Sequence, residues 1–450
     1  LCRPIGAISL KGSGKEEPFV QIEITGLNHS GEGVGRYEGK VYFVPFTVPG
    51  DLVEAEPGKQ ARRFGYARLK EVIRPSPDRV TPLCGHMENC GGSNLHHISY
   101  PAQLELKRKL VADALQRIGN LKEVQVLPTI GMENPYYYRN KAVFHVQADP
   151  VAIGFYQTGS HTVIPVRECL LVPPEWSEIL TFLENSLKEL GPSAYGLSQV
   201  TLRQSHYNQE IMLVISGRNK VLRGSEREGI AREIGRCFPQ VSTVASSDGI
   251  GEARVLSGKG VLIERLAGFQ YAISPAAFFQ VNTVMAEVLV QKVMEYGEPA
   301  DGELVIDAYC GIGTLSLPLA CHAGKVIGIE QNPAAVRDAR HNAAINQIHN
   351  AEFVSGDFEK ILARLVPSLG VVDLLVVDPP RKGLTPIILQ SIANIKPHRM
   401  VYVSCNPGTL ARDLSSLTVH GYQGVEVQPV DMFPHTAHVE AMALLQRRKC

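Results

Sequence analysis

Two stretches carry side chains able to do covalent chemistry. Cys405 stands in the turn Ser404-Cys405-Asn406-Pro407 after the apolar run MVYVS, and Glu440 follows the loop DMFPHTAHV near the end of the chain. A thiol at a strand end can add to an electron-poor carbon, and a carboxylate can take up a proton that must later be lost. Together they divide one difficult step into easier ones. A further acid, Asp378, ends the run VVDLLVV in Asp378-Pro379-Pro380-Arg381, and Asp307 ends another apolar run just ahead of the glycine pair Gly311 and Gly313. Glu330 closes the strand after that. Strand, tight glycine turn, helix, strand and acid make the first half of a nucleotide-binding α/β unit. The glycines let backbone approach a ligand, and an acid about twenty residues on suits ribose hydroxyls. No third glycine stands at the phosphate-binding spacing, which argues against a pyrophosphate ligand. Cys310 is a rival thiol, though its turn should face it towards cofactor or core.

The elements that must position these groups alternate. The spacing predicts a helix over 314–323, strands over 325–330, 351–357, 371–377 and 400–404, and helices between them. Parallel strands of this kind carry their sites along the carboxyl edge of the sheet, so Asp307, Glu330, Asp378 and Cys405 should share one rim. Ahead of them AAFFQVN is expected to open a helix with Val284, Val288, Leu289 and Val293 on one face. Gln280 would then sit at the helix start, its amide near a ligand lying over the glycine turn.

The chain has 450 residues, 44% of them hydrophobic, enough for about three domains with real cores. It shows no apolar run of about 18 residues and no signal peptide, so a cytoplasmic protein without membrane contact is expected. Nine scattered cysteines read as thiols of a reducing compartment rather than a disulfide framework. Lysine plus arginine and aspartate plus glutamate balance at 45 each, so any nucleic-acid surface must be a local patch. Between glycine-rich turns, residues 19–73 alternate apolar and polar, as a small β-barrel would. There Arg62-Arg63-Phe64 and Tyr66-Ala67-Arg68 interleave aromatics with charge, which suits single-stranded RNA or a solvated charged edge. Cys84 and Cys90 follow, in a loop that ends Gly91-Gly92-Ser93, then an apolar stripe at helical spacing over 101–118. A central region carries strands over 136–147, 151–157, 199–205 and 210–217, with helices near 175–190 and 223–237. Tyr138-Arg139-Asn140-Lys141 there could hold a nucleotide or form the polar face of a half-exposed strand.

The order D-x-Y-C-G-x-G-T, from Asp307 to Thr314, resembles the first motif of class I S-adenosylmethionine methyltransferases. In that sheet the last strand runs antiparallel to the rest, which would bring Glu440 at its start towards Cys405. Amino-group methylases use a similar proline-rich turn that ends in an aromatic residue, but here Arg381 stands in its place. Thiol plus carboxylate instead suits methylation at pyrimidine carbon 5, with Cys405 as nucleophile and Glu440 as proton acceptor.

Taken together the chain resembles the RNA 5-methyluridine (uracil-5-) methyltransferases, in particular the TRAM-bearing branch that modifies 23S ribosomal RNA. The resemblance implies a class I, Rossmann-like α/β sheet over 269–450, an amino-terminal TRAM barrel, OB-like, over 13–74, and a central α+β domain over 75–268. It implies S-adenosylmethionine held by Gln280, Tyr309, Glu330 and Asp378. It also implies RNA as partner, ribosomal first and transfer RNA second, and no obligate protein partner. An amino-group RNA methylase and a non-catalytic RNA-binding factor are the alternatives. Relatives of this branch often bind a 4Fe–4S cluster through four cysteines. Cys84, Cys90 and Cys169 match three of them, and Ser93 occupies the remaining position.

Overall fold

The structure is a computed structural model that describes residues 19–191, 196–217, 224–248, 253–365 and 370–448. The barrel expected from residue 13 and the helix expected from Arg223 begin outside the described residues. The chain forms two compact units, Leu1–Arg79 and Val80–Cys450.

In the first unit β1 (Val20–Leu27), β2 (Gly33–Tyr37), β3 (Lys40–Val44), β4 (Leu52–Gln60) and β5 (Phe64–Arg74) close a barrel in the order β1-β2-β3-β5-β4. The period-two pattern of β1 sends Val20, Ile22 and Ile24 inward against Val44, Val53 and Ala55. Closure needs glycine at 35, because a Cβ there would stand 2.2 Å from Ile22 Cγ2. The buried Asp51 accepts from the amides of Val48 (2.6 Å) and Ser76 (2.8 Å) and pairs with Arg79 (2.6 Å). Burial alone would raise its carboxyl, but Arg79 and these amides hold it below its ordinary value.

The second unit opens with α1 (Tyr100–Arg117) and β6 (Gln125–Val126). Next come β7 (Lys141–Ala148), β8 (Val151–Tyr156), β9 (Val163–Pro165), α2 (Trp176–Leu190), β10 (Leu197–Gln204), β11 (Ile211–Gly217), α3 (Gly224–Cys237), β12 (Val241–Ser247) and β13 (Arg254–Gly258). Their strands form a sheet in the order β13-β12-β11-β10-β7-β8-β9. One face packs on α2 and α3 around Trp176, whose indole N–H donates to Gln204 Oε1 at 2.6 Å. On the other face Met212, Val214 and Ala245 pack against the hairpin of β14 (Leu262–Leu266) and β15 (Phe269–Ile273) and against α4 (Thr283–Gly297).

The remaining elements alternate: β16 (Leu304–Ala308), α5 (Ser316–Ala320), β17 (Lys325–Glu330), α6 (Pro333–Ile345), β18 (Ala351–Ser355), α7 (Phe358–Leu365), β19 (Leu374–Val377), α8 (Pro386–Ile395), β20 (Arg399–Ser404), α9 (Pro407–Val419), β21 (Tyr422–Val430) and β22 (Glu440–Arg447). They build an eight-stranded sheet in the order β18-β17-β16-β19-β20-β22-β21-β6. It is parallel from β18 to β20, whereas β22 runs antiparallel to both β20 and β21. Leu374 to Val377 are each 0% exposed, as a strand covered on both faces requires. The stretch from α1 to β6 belongs to this sheet's packing: Val111 and Leu115 share its core with Leu410 and Leu414 of α9, and β6 pairs with β21. No helix among the described residues is long and apolar enough to cross a membrane.

Several elements are shorter than the sequence pattern suggests: the strands expected over 351–357 and 371–377 span only Ala351–Ser355 and Leu374–Val377. Regular helix after the glycine turn spans Ser316–Ala320; it starts late because Pro318 has no N–H for the Thr314 carbonyl, which accepts from the Tyr271 hydroxyl instead. The strand expected from 136 starts at Lys141, since the amides of Tyr137, Arg139 and Asn140 are spent on Leu170, Leu171 and Val281. The helix expected from AAFFQVN begins at Thr283. Extended Asn282 caps it through the Met285 amide, so Gln280 lies in the approach rather than on the helix.

Candidate active site

The cofactor side of the rim is built by the turn after β16. Tyr309 (φ 65°), Gly311 (φ 56°) and Gly313 (φ 89°) all adopt left-handed backbone, and the amides of Tyr309 and Cys310 both donate to the Ile329 carbonyl. A non-glycine residue at positive φ is costly, which marks Tyr309 as a position the fold holds for a purpose. Glu330 accepts from the Gly311 amide at 3.2 Å and from that of Asn332 at 2.7 Å. The turn borders a pocket whose polar walls are Gln280, Asp307, Tyr309 and Asp378, with Phe278 and Leu315 on the apolar side. Phe278 is 61% exposed although apolar, and nothing in the sequence pattern separates it from buried Phe279. Cys310 is buried in the core and packs against Gly328, where a Cβ would come within 2.9 Å of its sulfur. The rival thiol therefore faces the core.

Asp307 accepts from Ser316 Oγ at 2.5 Å, while its other oxygen is buried without a partner among the described residues. Burial raises Asp307 to about 7, with Asp378 and Glu330 adding to the effect, and burial raises Asp378 to about 7 as well. An orphaned carboxylate oxygen and a second carboxyl in one pocket suit a cationic amine, and Glu330 at the glycine turn suits hydroxyls. These groups fit S-adenosylmethionine.

The chemical side lies where β20 meets β22. Ser404 pairs with Ala441, so the next positions outward set Cys405 and Glu440 side by side on the rim. Asn406 caps α9, accepting from the amides of Gly408 and Thr409. Asn406 Nδ2 and Thr409 Oγ1 both donate to the Arg381 carbonyl, which ties the two turns together. Burial pushes the Cys405 thiol up, with Glu440 and Asp378 adding to it, while Arg381 favours the thiolate. Glu440, 6% exposed, is raised well above the ordinary carboxylate range by burial and by Asp378. Arg381 Nη2 lies 3.2 Å from the His438 ring, which burial lowers to about 4, so His438 meets the guanidinium as a neutral imidazole.

A side-chain frame from α1 fixes the loop that delivers Glu440. Lys107 (1% exposed) pairs with Asp431 (0%) at 2.5 Å and donates to the Phe433 carbonyl at 3.0 Å. Gln103 accepts from the His435 amide at 3.0 Å, and the His435 carbonyl accepts from the amides of Asn94 and Leu95. His435, at φ 63°, stacks against both His96 and Tyr136, whose rings also stack on each other. Sequence reading missed this frame, because more than three hundred residues separate its partners.

Elsewhere, Phe43, Phe64 and Tyr66 form a three-ring cluster on the barrel with centroids 5.6–5.9 Å apart, and Phe64 and Tyr66 are more than a third exposed. Of Tyr138-Arg139-Asn140-Lys141, Tyr138 is buried and Asn140 is spent on Gln280 and Thr283, which leaves the two cations. Cys84, Cys90, Cys169 and Ser93 line one pocket. Burial raises both Cys90 and Cys169 above the ordinary thiol range. Three thiols and a hydroxyl are one thiolate short of the set a 4Fe–4S cluster takes, and among the described residues no three His, Cys, Asp or Glu side chains are gathered to hold a metal ion. They do not fit a four-thiolate cluster.

The eight-stranded sheet with its reversed last strand is a class I methyltransferase fold. The family model for tRNA (uracil-5-)-methyltransferases matches residues 261–448, and that for the TRAM domain matches 19–70. RNA methyltransferases that are themselves uncharacterized, from Halalkalibacterium halodurans and Clostridium tetani, are 38% and 37% identical over 95% and 96% of this chain and 96% and 97% of their own. A solved structure of the Pyrococcus abyssi tRNA (uracil-54, C5)-methyltransferase in complex with S-adenosyl-L-homocysteine matches with a TM-score of 0.73 and 29% identity, covering 95% of this chain and all of that one. The chain belongs to the S-adenosylmethionine-dependent RNA (uracil-5-)-methyltransferases. RNA is therefore its substrate class.

The buried pair yields a stability prediction. Lys107→Met strands the Asp431 carboxylate and should cost about 3–5 kcal/mol, whereas Lys107→Met with Asp431→Leu should recover most of that. Urea melts of the two variants check it; equal losses in both would show that the pair's charge is not what holds the loop.

Proposed function

We propose that the chain methylates carbon 5 of a uridine in 23S ribosomal RNA through a covalent adduct between Cys405 and carbon 6. The observation that carries the carbon 5 chemistry is the pairing of Ser404 with Ala441, which sets a thiol and a buried carboxyl side by side next to the Asp307–Asp378 pocket, while ribosomal RNA rests on the resemblance to the TRAM-bearing branch. An amino-group methylase has no use for that thiol. Transfer RNA is the second reading, favoured by the family model's description and by the substrate of the Pyrococcus abyssi neighbour. Mapping 5-methyluridine across cellular RNA with and without the protein separates the two.

Gln280, Tyr309, Glu330 and Asp378 would hold S-adenosylmethionine, and the unpartnered Asp307 oxygen would suit its ammonium. When bound it supplies the electrophilic sulfonium methyl group that carbon 5 takes. Carbon 5 of uracil is too weak a nucleophile until Cys405, its proton lost to solvent, forms a bond from the thiolate to carbon 6 and drives the ring electrons towards carbon 5. Arg381 beside the sulfur favours the thiolate that this step needs. Glu440 then removes the carbon 5 proton, the ring double bond re-forms and the Cys405 sulfur leaves. Burial favours the neutral form of Glu440, so it must release its own proton before this step, and its carboxylate is then the stronger proton acceptor. The exposed rings Phe64 and Tyr66, beside Arg62, Arg63 and Arg68, give the barrel the stacking and charge that single-stranded RNA requires.

Cys405→Ala should abolish methyl transfer and leave S-adenosylmethionine binding intact. Wild-type protein given RNA carrying 5-fluorouridine should form a stable adduct at Cys405, because fluorine does not leave as a proton. An adduct mapped to Cys310, or activity in the alanine variant, contradicts the assignment.

Glu440→Gln should allow attack and methylation but stall release, so that a denaturation-resistant protein–RNA complex accumulates with natural uridine. Normal turnover in this variant would move the base elsewhere.

Affinity for S-adenosylmethionine should depend on pH. Asp307 and Asp378 titrate near 7 in the free protein, and an ammonium binds their ionised form. Affinity should therefore fall as pH drops below about 7, by up to about tenfold per unit for each carboxyl that must ionise. Calorimetry between about pH 6 and about pH 8 reads this slope, which Asp307→Asn should flatten.

A further inference from the structure

The second sheet has one face only partly covered. Along β7, Ala142 and Phe144 point into the core with α2 and α3, so Lys141, Val143 and His145 line the opposite face. Arg203, Thr201 and Gln199 of β10 stand across from them in register. Towards β11 and β12 this face is buried beneath the β14–β15 hairpin and α4, but along β7 it is partly open, with Val143 36% exposed and Tyr156 half-buried at the end of β8. The open part starts at the catalytic rim, because the Asn140 amide donates to the Val281 carbonyl at 2.7 Å and its side chain to that of Gln280 at 2.9 Å. It ends in a groove lined by His145, Tyr156 and His161. The His145 and Tyr156 rings stack with centroids 3.6 Å apart, and His161 meets Tyr156 edge-on at 5.1 Å.

We propose that this face is a track for a single strand of the substrate RNA, with a backbone phosphate at Lys141 and a base stacked at the His145–Tyr156 pair. The proposal rests on the RNA methyltransferase reading and extends it to residues away from the rim. Charge supports it: β7, β8 and β10 carry no carboxylate, whereas Lys141 and Arg203 are cross-strand neighbours of like charge. Neither forms an ion pair among the described residues. Arg203 is 4% exposed and is held by the Ala277 carbonyl at 3.1 Å, with its other terminal nitrogen unpartnered. Burial, and then Arg203 behind it, lower Lys141 to about 8. The buried Glu264 carboxylate acts on Arg203 but no carboxylate acts on Lys141, so Lys141 faces a neighbouring cation that a phosphate arriving beside it would offset. At the other end His145 Nδ1 is buried without a partner among the described residues, and stacked rings are what a base recognises without regard to sequence. Lys141 and His145 lie four residues apart on one strand, about 13 Å, so one short run of nucleotides reaches both.

The test measures binding of fluorescein-labelled oligouridylate to the full chain across a salt series. Lys141→Met should weaken binding and lower the slope of log affinity against log salt by about one. His145→Ala and Tyr156→Ala should weaken binding about five- to hundredfold and leave that slope unchanged. Val143→Lys adds a cation at an exposed position, so it should tighten binding and steepen the slope, a gain that misfolding cannot imitate. S-adenosylmethionine affinity, unchanged throughout, shows that each variant is folded. Wild-type affinity and slope in the folded Lys141, His145 and Val143 variants would overturn the track while methylation by the wild-type chain stands. A wild-type chain that methylates no RNA would overturn the proposed function itself.

Discussion

The reversal of β22 is the constraint on which the site depends. In a sheet of purely parallel strands the start of the last strand lies at the far edge from the carboxyl ends, and a residue there cannot meet one that follows β20. Running β22 antiparallel between β20 and β21 brings its first residue, Glu440, to the rim beside Cys405. Register matters as much as direction, since a slip of one residue would turn Glu440 to the opposite face. The strand is anchored against such slips by Ala441, Met442, Ala443 and Leu445, all fully buried.

The ionisable groups along that rim are held at an electrostatic cost. Asp307, Asp378 and Glu440 are all pushed towards the neutral form by burial, and Asp378 adds to the cost at the other two. Arg381 offsets part of it for Cys405 and Glu440. Such a concentration of perturbed carboxyls is what a site handling a cationic cofactor and a proton calls for. The loop before Glu440 is strained at His435 and held by the buried Lys107–Asp431 pair, so α1 belongs to the machinery of the rim although it contributes no reacting group.

Much of the site was legible because its residues lie at strand ends, where pattern and motif coincide. Asp307, Glu330, Asp378 and Cys405 each end an apolar run, and parallel βα repeats put such ends on one edge without any knowledge of packing. The limits of elements were less legible. Pro318 shortened a helix that apolar periodicity extended, and Asn282 capped α4 later than the FFQ run suggested, because a missing amide or a side-chain cap acts below the resolution of periodicity. Tyr138-Arg139-Asn140-Lys141 looked like one functional unit, yet local backbone bonds divide it into a buried ring, a brace for the Gln280 segment and two cations.

The sequence by itself determined the chemistry on offer: a thiol, a carboxylate, a glycine turn with its acid, and the βα alternation that aligns them. Those are local facts of residue type and spacing. Only the tertiary structure decided that Cys310 faces the core and that α1 packs on α9 rather than on the second sheet. It also decided that Gln103 and Lys107 hold a loop from the far end of the chain, and that part of the β7 face is left open. Each of these depends on which surfaces compete for burial once the chain has collapsed, and a pair such as Lys107 and Asp431 leaves no trace in local periodicity, because its two halves are desolvated together only in the folded core.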